Sequence, residues 1–378
     1  MKIPFARTLR APINRVLQFA ATQCCLRKIR RLTVSRSLPL EERIVLLGEW
    51  LDRLHSRQAF NGTVLLAELG RIFFEQHYGI ADADGRIPLS GHSSFSLASV
   101  SKQFTGMGIM LLAQQGRLKL DATLAQHIPE LARYRDVTIT QMLQHTSGLP
   151  DHMWLAEKYW DPDVVLTTQG MIALFLQHRP PPHFAPGERF EYSNTGYVLL
   201  GEIISRTSGT PYADFMANEI FKPLHMADSA AFNLASKECT LRSRTFGLRK
   251  RFGCFGKRVN NDLNYLDGVF GDGSIYASAE DLVRWDAALR DGTLIACEAY
   301  EQAYVSGKLN DGRAISYGFG WEIKAANVVE HRGAWEGFTS YLRRDLKKHT
   351  LVVVLSNLGP WACVDVVGAE LVNFVESL

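Results

Sequence analysis

Residues 95–116 read FSLASVSKQFTGMGIMLLAQQG. A short strand-like piece, FSLA, gives way to a run with helical patterning that opens near Ser99. On a helix, positions i and i+3 share one face about a turn apart, so Ser99 and Lys102 can meet. A serine hydroxyl is a poor nucleophile without a base beside it. A lysine held in a dry, partly cationic pocket loses basicity and can serve as that base. A helix N-terminus adds backbone N–H donors that favour a developing oxyanion. About one Ser-x-x-Lys is expected by chance in a chain this long, so the motif needs company.

Two further elements lie downstream. Tyr192-Ser193-Asn194 follows the turn Pro186-Gly187-Glu188-Arg189 and precedes a helix predicted from Thr195. A phenol near a lysine ammonium is pushed toward its ionised form, and could take the serine proton and later activate water. Asn194 offers an amide for a substrate carbonyl or for orienting Lys102. Taken alone, Tyr192 also fits a half-buried tyrosine with a satisfied hydroxyl. His331-Arg332-Gly333 lies in a strand-like segment near the end of the chain, and His77-Tyr78-Gly79 has the same spacing. Only position along the chain separates these two. His331 also fits a satisfied core histidine, and Arg332, its strand neighbour, is expected on the opposite face.

The organisation around these motifs is uneven. Residues 41–56 place Ile44, Leu47, Leu51 and Leu54 at helical spacing. GTVLLAEL and RIFFEQHYG, split by Gly70, read as a hairpin. YGFGWEI, NVVEH, FTSYLRRD and HTLVVVLSN form a second strand cluster, followed by a helix over roughly 361–377. Between them, residues 100–230 are mainly helical in pattern. Thr138 and Gln141 form a capping-box pair, Gly209 ends a helix over 195–208, Pro211 opens the next, and Ser278 with Asp281 starts another. Strands at both ends with helices between imply a discontinuous α/β (α+β) domain over 41–120 and 270–378, and an inserted mainly helical domain over 121–269.

Ser99-x-x-Lys102, then Tyr192-x-Asn194, then His331-x-Gly333, in that order, resembles the serine beta-lactamase-like superfamily. The branch is the one holding class C beta-lactamases, D-Ala-D-Ala carboxypeptidases, D-aminopeptidases and family VIII esterases. MLQHTSGLP (142–150), PGERFEYSNTGYVLLGEII, GDGSIYASAEDLVRWDAAL and HRGAWEGFTSYLRRD also look like landmarks of that family. The resemblance covers about residues 45–378. It implies a beta-lactamase/transpeptidase-like fold, with an antiparallel sheet flanked by helices, an inserted all-α domain and an active site in the cleft between. It also implies an acyl-enzyme on Ser99, with Lys102 and Tyr192 sharing acid–base work and Asn194 positioning substrate. His331 and Gly333 would form a wall of the cleft, and the backbone N–H groups of Ser99 and Ala334 an oxyanion hole. Beta-lactamases usually carry Lys-Thr/Ser-Gly where this chain has His331-Arg332-Gly333. A beta-lactamase-like carboxylesterase or small-amide hydrolase is therefore expected. A D-Ala-D-Ala carboxypeptidase, a D-aminopeptidase or a weak beta-lactamase is the alternative. From another class, the alternative is a non-catalytic scaffold or a penicillin receptor that acylates without turnover.

Composition narrows the rest. The 378 residues are 46% hydrophobic and 21% charged, which excludes a disordered or collagen-like chain. Residues 1–40 carry nine Lys or Arg and no acid, leaving 33 basic and 39 acidic residues in the body. The net charge of +3 thus belongs to an N-terminal extension, and no nucleic-acid partner is expected. The uncharged run VLQFAATQCCL inside that extension fits either a secretory or membrane-associating segment or a plain basic tail. Localisation follows from which it is: periplasmic or membrane-associated, or else cytoplasmic. The basic stretch 239–261 is expected to be a solvated loop. Six scattered cysteines without Cys-x-x-Cys read as free thiols. Motifs for metal, phosphate or dinucleotide binding are absent, so no metal or organic cofactor is expected, only a small ester, amide or peptide substrate.

Overall fold

The computed structural model describes residues 31–236, 241, 243–252, 255–359 and 363–378. The VLQFAATQCCL run with Cys24 and Cys25, and also Cys239 and Cys254, lie outside the described residues. The chain begins with helix α1 (Leu40–Ser56), then strands β1 (Gly62–Glu68), β2 (Arg71–Tyr78) and β3 (Phe95–Ser96). Helices α2 (Lys102–Gln114), α3 (Leu124–His127), α4 (Ile139–Leu143) and α5 (His152–Tyr159) follow. After them come α6 (Thr168–His178), α7 (Asn194–Ser208) and α8 (Tyr212–Met216). Next are β4 (Ala230–Ala231), β5 (Leu248–Phe252), β6 (Phe255–Asn260), β7 (Ile275–Ala277), α9 (Ala279–Asp291) and α10 (Cys297–Tyr300). The chain closes with β8 (Glu322–Ala325), β9 (Val328–Trp335), β10 (Phe338–Asp345), β11 (Thr350–Ser356) and α11 (Val364–Glu376).

The two ends of the chain share one antiparallel sheet in the order β2-β1-β11-β10-β9-β8. The β1–β2 hairpin turns through Leu69 and Gly70, both at positive φ, the backbone that a two-residue type I′ turn demands. β1 pairs with β11, Leu65 lying opposite Val353. On one face, Val64, Leu66, Val352 and Val354 pack with Leu47 and Leu51 of α1 and with Leu371 and Phe374 of α11. On the other, Leu65, Ala67, Val353 and Leu355 join Phe104, Met107 and Trp285. Covering both faces explains why β1 and β11 read as unbroken apolar runs rather than alternating ones. Arg43 of α1 donates to the carbonyls of Phe374 and Ser377, satisfying the open end of α11.

The second of these core clusters continues into the helices. In α7, Tyr197, Val198, Leu199, Leu200, Ile203 and Ile204 are all buried, so this helix is enclosed rather than laid on a surface. Its N-cap Ser193 accepts from the Gly196 N–H at 3.2 Å, and Gly209 ends it in the left-handed conformation. The Thr138–Gln141 capping box forms at α4. Ser278 accepts from the Asp281 N–H at α9.

The stretch 239–261 is corrected by the structure. Much of it is the β5–β6 ribbon, and Leu248 is fully buried. The Arg244 guanidinium packs over Phe232, Phe246 and Tyr276 and pairs with Asp262 at 2.5 Å. Charge density alone could not show that an aromatic cage was waiting for one of these cations. Cys297 is a free thiol. Among the described residues, no helix is long and apolar enough to cross a membrane.

Candidate active site

Backbone geometry places the reactive pair. Phe95 and Ser96 of β3 pair with Ala277 and Tyr276 of β7, and the Leu97 N–H donates to the Ile275 carbonyl at 2.9 Å. The chain then turns sharply. Ala98 holds φ +45°, costly for a residue with a Cβ, and Ala98–Ser101 form one 3₁₀ turn before α2. Ser99 is thereby left facing a cleft while Lys102, first residue of α2, is wholly buried. Lys102 Nζ donates to Ser99 Oγ at 3.3 Å, to Asn194 Oδ1 at 2.9 Å and to the Asp272 carbonyl at 2.7 Å. Three protons meet three acceptors, which is how an ammonium can be carried in a buried place.

Asn194 is the first residue of α7, so the cap at Ser193 fixes where its amide points. Tyr192 lies just before that cap. It is 42% exposed, and its ring centroid is 5.0 Å from Lys102 Nζ. His145 holds the segment carrying it. The His145 carbonyl accepts from the Glu191 N–H at 2.9 Å, and its Nδ1 accepts from the Ser193 N–H at 3.0 Å. The His145 ring also packs 4.2 Å from that of Tyr192. Burial, with the Lys102 charge second, pushes the His145 pKa well down, so the ring is neutral.

β9 closes the other side. Gly333 is pressed against the nucleophile turn: a Cβ there would come within 2.2 Å of the Leu97 carbonyl oxygen and 3.0 Å of Ser99 N. Ser340 of β10 ties the same Leu97 carbonyl at 2.6 Å. Ala334 lines the cleft beside Ser99. His331 is buried rather than presented to solvent. Its Nδ1–H donates to the Arg332 carbonyl at 2.7 Å and its Nε2 accepts from the Tyr317 hydroxyl at 2.8 Å. Burial first, and the Lys102 charge next, push it down to about 3, so it is a neutral ring. Arg332 points the opposite way, to Glu330 at 3.7 Å and Asp365 at 3.5 Å.

All seven residues named from the sequence therefore converge on one region. Three participants were not singled out. The Asp272 carbonyl on Lys102, His145 behind Tyr192, and Tyr317 on His331 each act from far along the chain. Their strings, HTSG and GDGS, were visible as landmarks, but nothing in them specified a contact. The cleft is lined by Ser99, Asn194, Leu266, Tyr276, Ala334 and Trp335 among others. Among the described residues, no group of three or more His, Cys, Asp or Glu could hold a metal ion.

Comparison with known proteins agrees with this fold. The Beta-lactamase family model matches residues 49–375. Penicillin-binding protein 4* of Bacillus subtilis (strain 168) is 35% identical over 321 residues, covering 81% of this chain and 70% of that protein. Protein flp of Staphylococcus aureus (strain COL) is 27% identical over 307 residues, 78% of this chain but 59% of flp, so the chain spans less than two thirds of flp. The crystal structure of a penicillin-binding protein from Bacillus halodurans superposes with TM-score 0.72 at 25% identity, covering 85% of this chain and 97% of that one.

Proposed function

We propose, from the premise that this chain belongs to the Beta-lactamase family of serine hydrolases, that it cleaves small esters or amides through an acyl-enzyme on Ser99. The observation that carries this is the 3.3 Å contact between Ser99 Oγ and the buried Lys102. Ser99 Oγ attacks the substrate carbonyl carbon, and its proton passes through the Lys102–Tyr192 pair to the departing alcohol or amine. Water then attacks the acyl carbon, Oγ regains a proton, and the carboxylic acid leaves. The N–H groups of Ser99 and Ala334 hold the oxyanion in both steps. Asn194 Oδ1 is taken by Lys102, which leaves its NH₂ group for the substrate carbonyl side.

Charge favours an ester or small amide over a substrate anchored by a free carboxylate. His331 is neutral and engaged with Tyr317, and Arg332 faces elsewhere, so this strand offers the cleft no cation. The second reading, a penicillin-reactive D-Ala-D-Ala carboxypeptidase, is favoured by the 35% identity to a protein named as penicillin-binding. A panel of p-nitrophenyl acetate, nitrocefin and a D-alanyl-D-alanine peptide separates the two. The proposal expects ester turnover that Ser99→Ala abolishes. Ester hydrolysis that survives Ser99→Ala would overturn the acyl-enzyme, and faster turnover of the peptide than of the ester would favour the second reading.

A further inference from the structure

His145, two residues beyond α4, is expensive to keep where it is. Its backbone holds φ +57°, the left-handed region that a residue with a Cβ avoids. Its side chain is fully buried. Its Nδ1 accepts from the Ser193 N–H at 3.0 Å, so the ring proton is on Nε2. That Nε2 is buried without a hydrogen-bond partner among the described residues. An apolar side chain would fill the same space without an orphaned N–H. Backbone strain and an unsatisfied buried donor persist where the surroundings over-determine them, and they gather at functional sites.

What surrounds His145 is the general-base side of the cleft. Its carbonyl accepts from the Glu191 N–H at 2.9 Å, and its Nδ1 from the Ser193 N–H, so both neighbours of Tyr192 hang from this one residue. Its ring centroid lies 4.2 Å from that of Tyr192, tilted by 33°, and 5.1 Å from that of Tyr197. Lys102 Nζ stands over the same two tyrosines, at 5.0 and 5.4 Å. On its other side the imidazole lies 4.4 Å from Tyr317, the residue that holds His331 of β9. Tyr192 is 42% exposed, so its orientation depends on the groups behind it.

The two backbone segments do not need the imidazole to stay together. The Gly187 N–H donates to the Thr146 carbonyl and the His183 N–H to the Gly148 carbonyl, both at 2.8 Å. Thr195 Oγ1 donates to the Pro150 carbonyl at 2.8 Å. These bonds zip 146–150 to 183–195 by themselves. The imidazole is left with Ser193 and three tyrosines.

We propose that His145 is a positioning residue of this site, aiming the Tyr192 phenol at the Ser99–Lys102 pair. It fixes the backbone on both sides of Tyr192 and packs against the tyrosine ring. Being buried, it meets no substrate, and as a neutral ring it adds no second cation beside Lys102. This role rests on the acyl-enzyme reading of Ser99 and extends it to the alignment of its acid–base partner.

The test is a double-mutant cycle on the full chain, read as the single-turnover acylation rate with p-nitrophenyl acetate, with Ser99→Ala as blank. His145→Ala should slow acylation by about tenfold to a hundredfold, as a misplaced catalytic group does, with substrate affinity changed by less than about threefold. In a Tyr192→Phe background the same substitution should cost at least about fivefold less, because no hydroxyl remains to be aimed. A purely structural histidine would cost the same in both backgrounds. If His145→Ala loses its folded circular dichroism spectrum, His145→Asn carries the same cycle. Asn tolerates left-handed backbone and keeps an acceptor for the Ser193 N–H, losing only the ring. A loss below about tenfold in the folded variant, or one that shrinks less than about fivefold without the Tyr192 hydroxyl, overturns the proposal. If the wild type hydrolyses the ester and the cycle shows no coupling, only the role of His145 fails. If no ester is hydrolysed and no fluorophosphonate labels Ser99, the acyl-enzyme reading fails and the role of His145 with it.

Discussion

Lys102 Nζ lies 3.3 Å from Ser99 Oγ, with its other two protons on Asn194 and on the Asp272 carbonyl. The lysine is thus aimed from three directions and cannot drift from the nucleophile. Lys102→Met should lower kcat for p-nitrophenyl acetate by about a thousandfold or more, as when one member of a nucleophile–base pair is lost. Lys102→Arg should not restore it, because a planar fork of five N–H donors cannot fit three acceptors arranged for one ammonium. Stopped-flow acylation rates check both.

Gly333 stands where β9 touches the nucleophile turn. An added Cβ meets backbone, the Leu97 carbonyl oxygen at 2.2 Å, as well as Ser340 Oγ at 2.4 Å. Gly333→Ala should destabilise the protein by about 1–3 kcal/mol, the usual cost of forcing a methyl into filled space. It should also depress acylation by pushing the Ser99 turn out of place. Urea midpoints and acylation rates on one preparation measure the two effects together.

The buried histidines fix the acid side of the stability curve. His331, His145 and His152 all have pKa values lowered chiefly by burial, His331 down to about 3. Each stays neutral in the folded state but gains a proton in the unfolded chain below its ordinary value of about 6.5. The unfolded state therefore binds more protons below that pH, so stability is full above it and falls as pH drops toward 3. Asp267, raised to about 7, works the other way and offsets part of the loss. His331→Gln should flatten the decline by about 1.4 kcal/mol per pH unit between about pH 6 and pH 4, read from urea midpoints.

A buried ion pair ties α9 to β10. Arg344 Nε donates to Asp286 Oδ1 at 2.6 Å, and the guanidinium packs over Trp321 and Tyr304. Arg344→Ala should cost about 3–5 kcal/mol, because Asp286 is left buried and, among the described residues, faces only Arg290 at 3.8 Å. Asp286→Leu with Arg344→Met should recover part of that loss. Thermal or urea unfolding of the three variants decides it.

The N-terminal extension should be dispensable for chemistry. Every residue placed at the cleft lies beyond residue 95. A chain starting at Arg31 should hydrolyse p-nitrophenyl acetate with unchanged kcat/KM. A folded truncation that has lost activity would mean the extension belongs to the site.

Much of the site was legible in the sequence because its parts are local. Ser99 and Lys102 are one helical turn apart, and Asn194 follows a serine cap, so short-range rules place each side chain on its element. The strands were legible for the same reason, since alternation and turns are read over a few residues. The basic stretch 239–261 was misread because burial of Arg244 depends on Phe232, Phe246 and Tyr276, and charge density carries no information about them.

By itself, then, the sequence determined the elements, the nucleophile with its neighbouring lysine, and the order of motifs that pointed to the family. Only the tertiary structure decided what those groups are in their setting. It buried His331 as a neutral ring on Tyr317, set His145 behind Tyr192, and brought the Asp272 carbonyl onto Lys102. The reason is physical. Protonation, charge balance and hydrogen-bond satisfaction depend on desolvation and on partners 14, 48 or 170 positions away, as for His331, His145 and Asp272. Those separations close only in the folded chain.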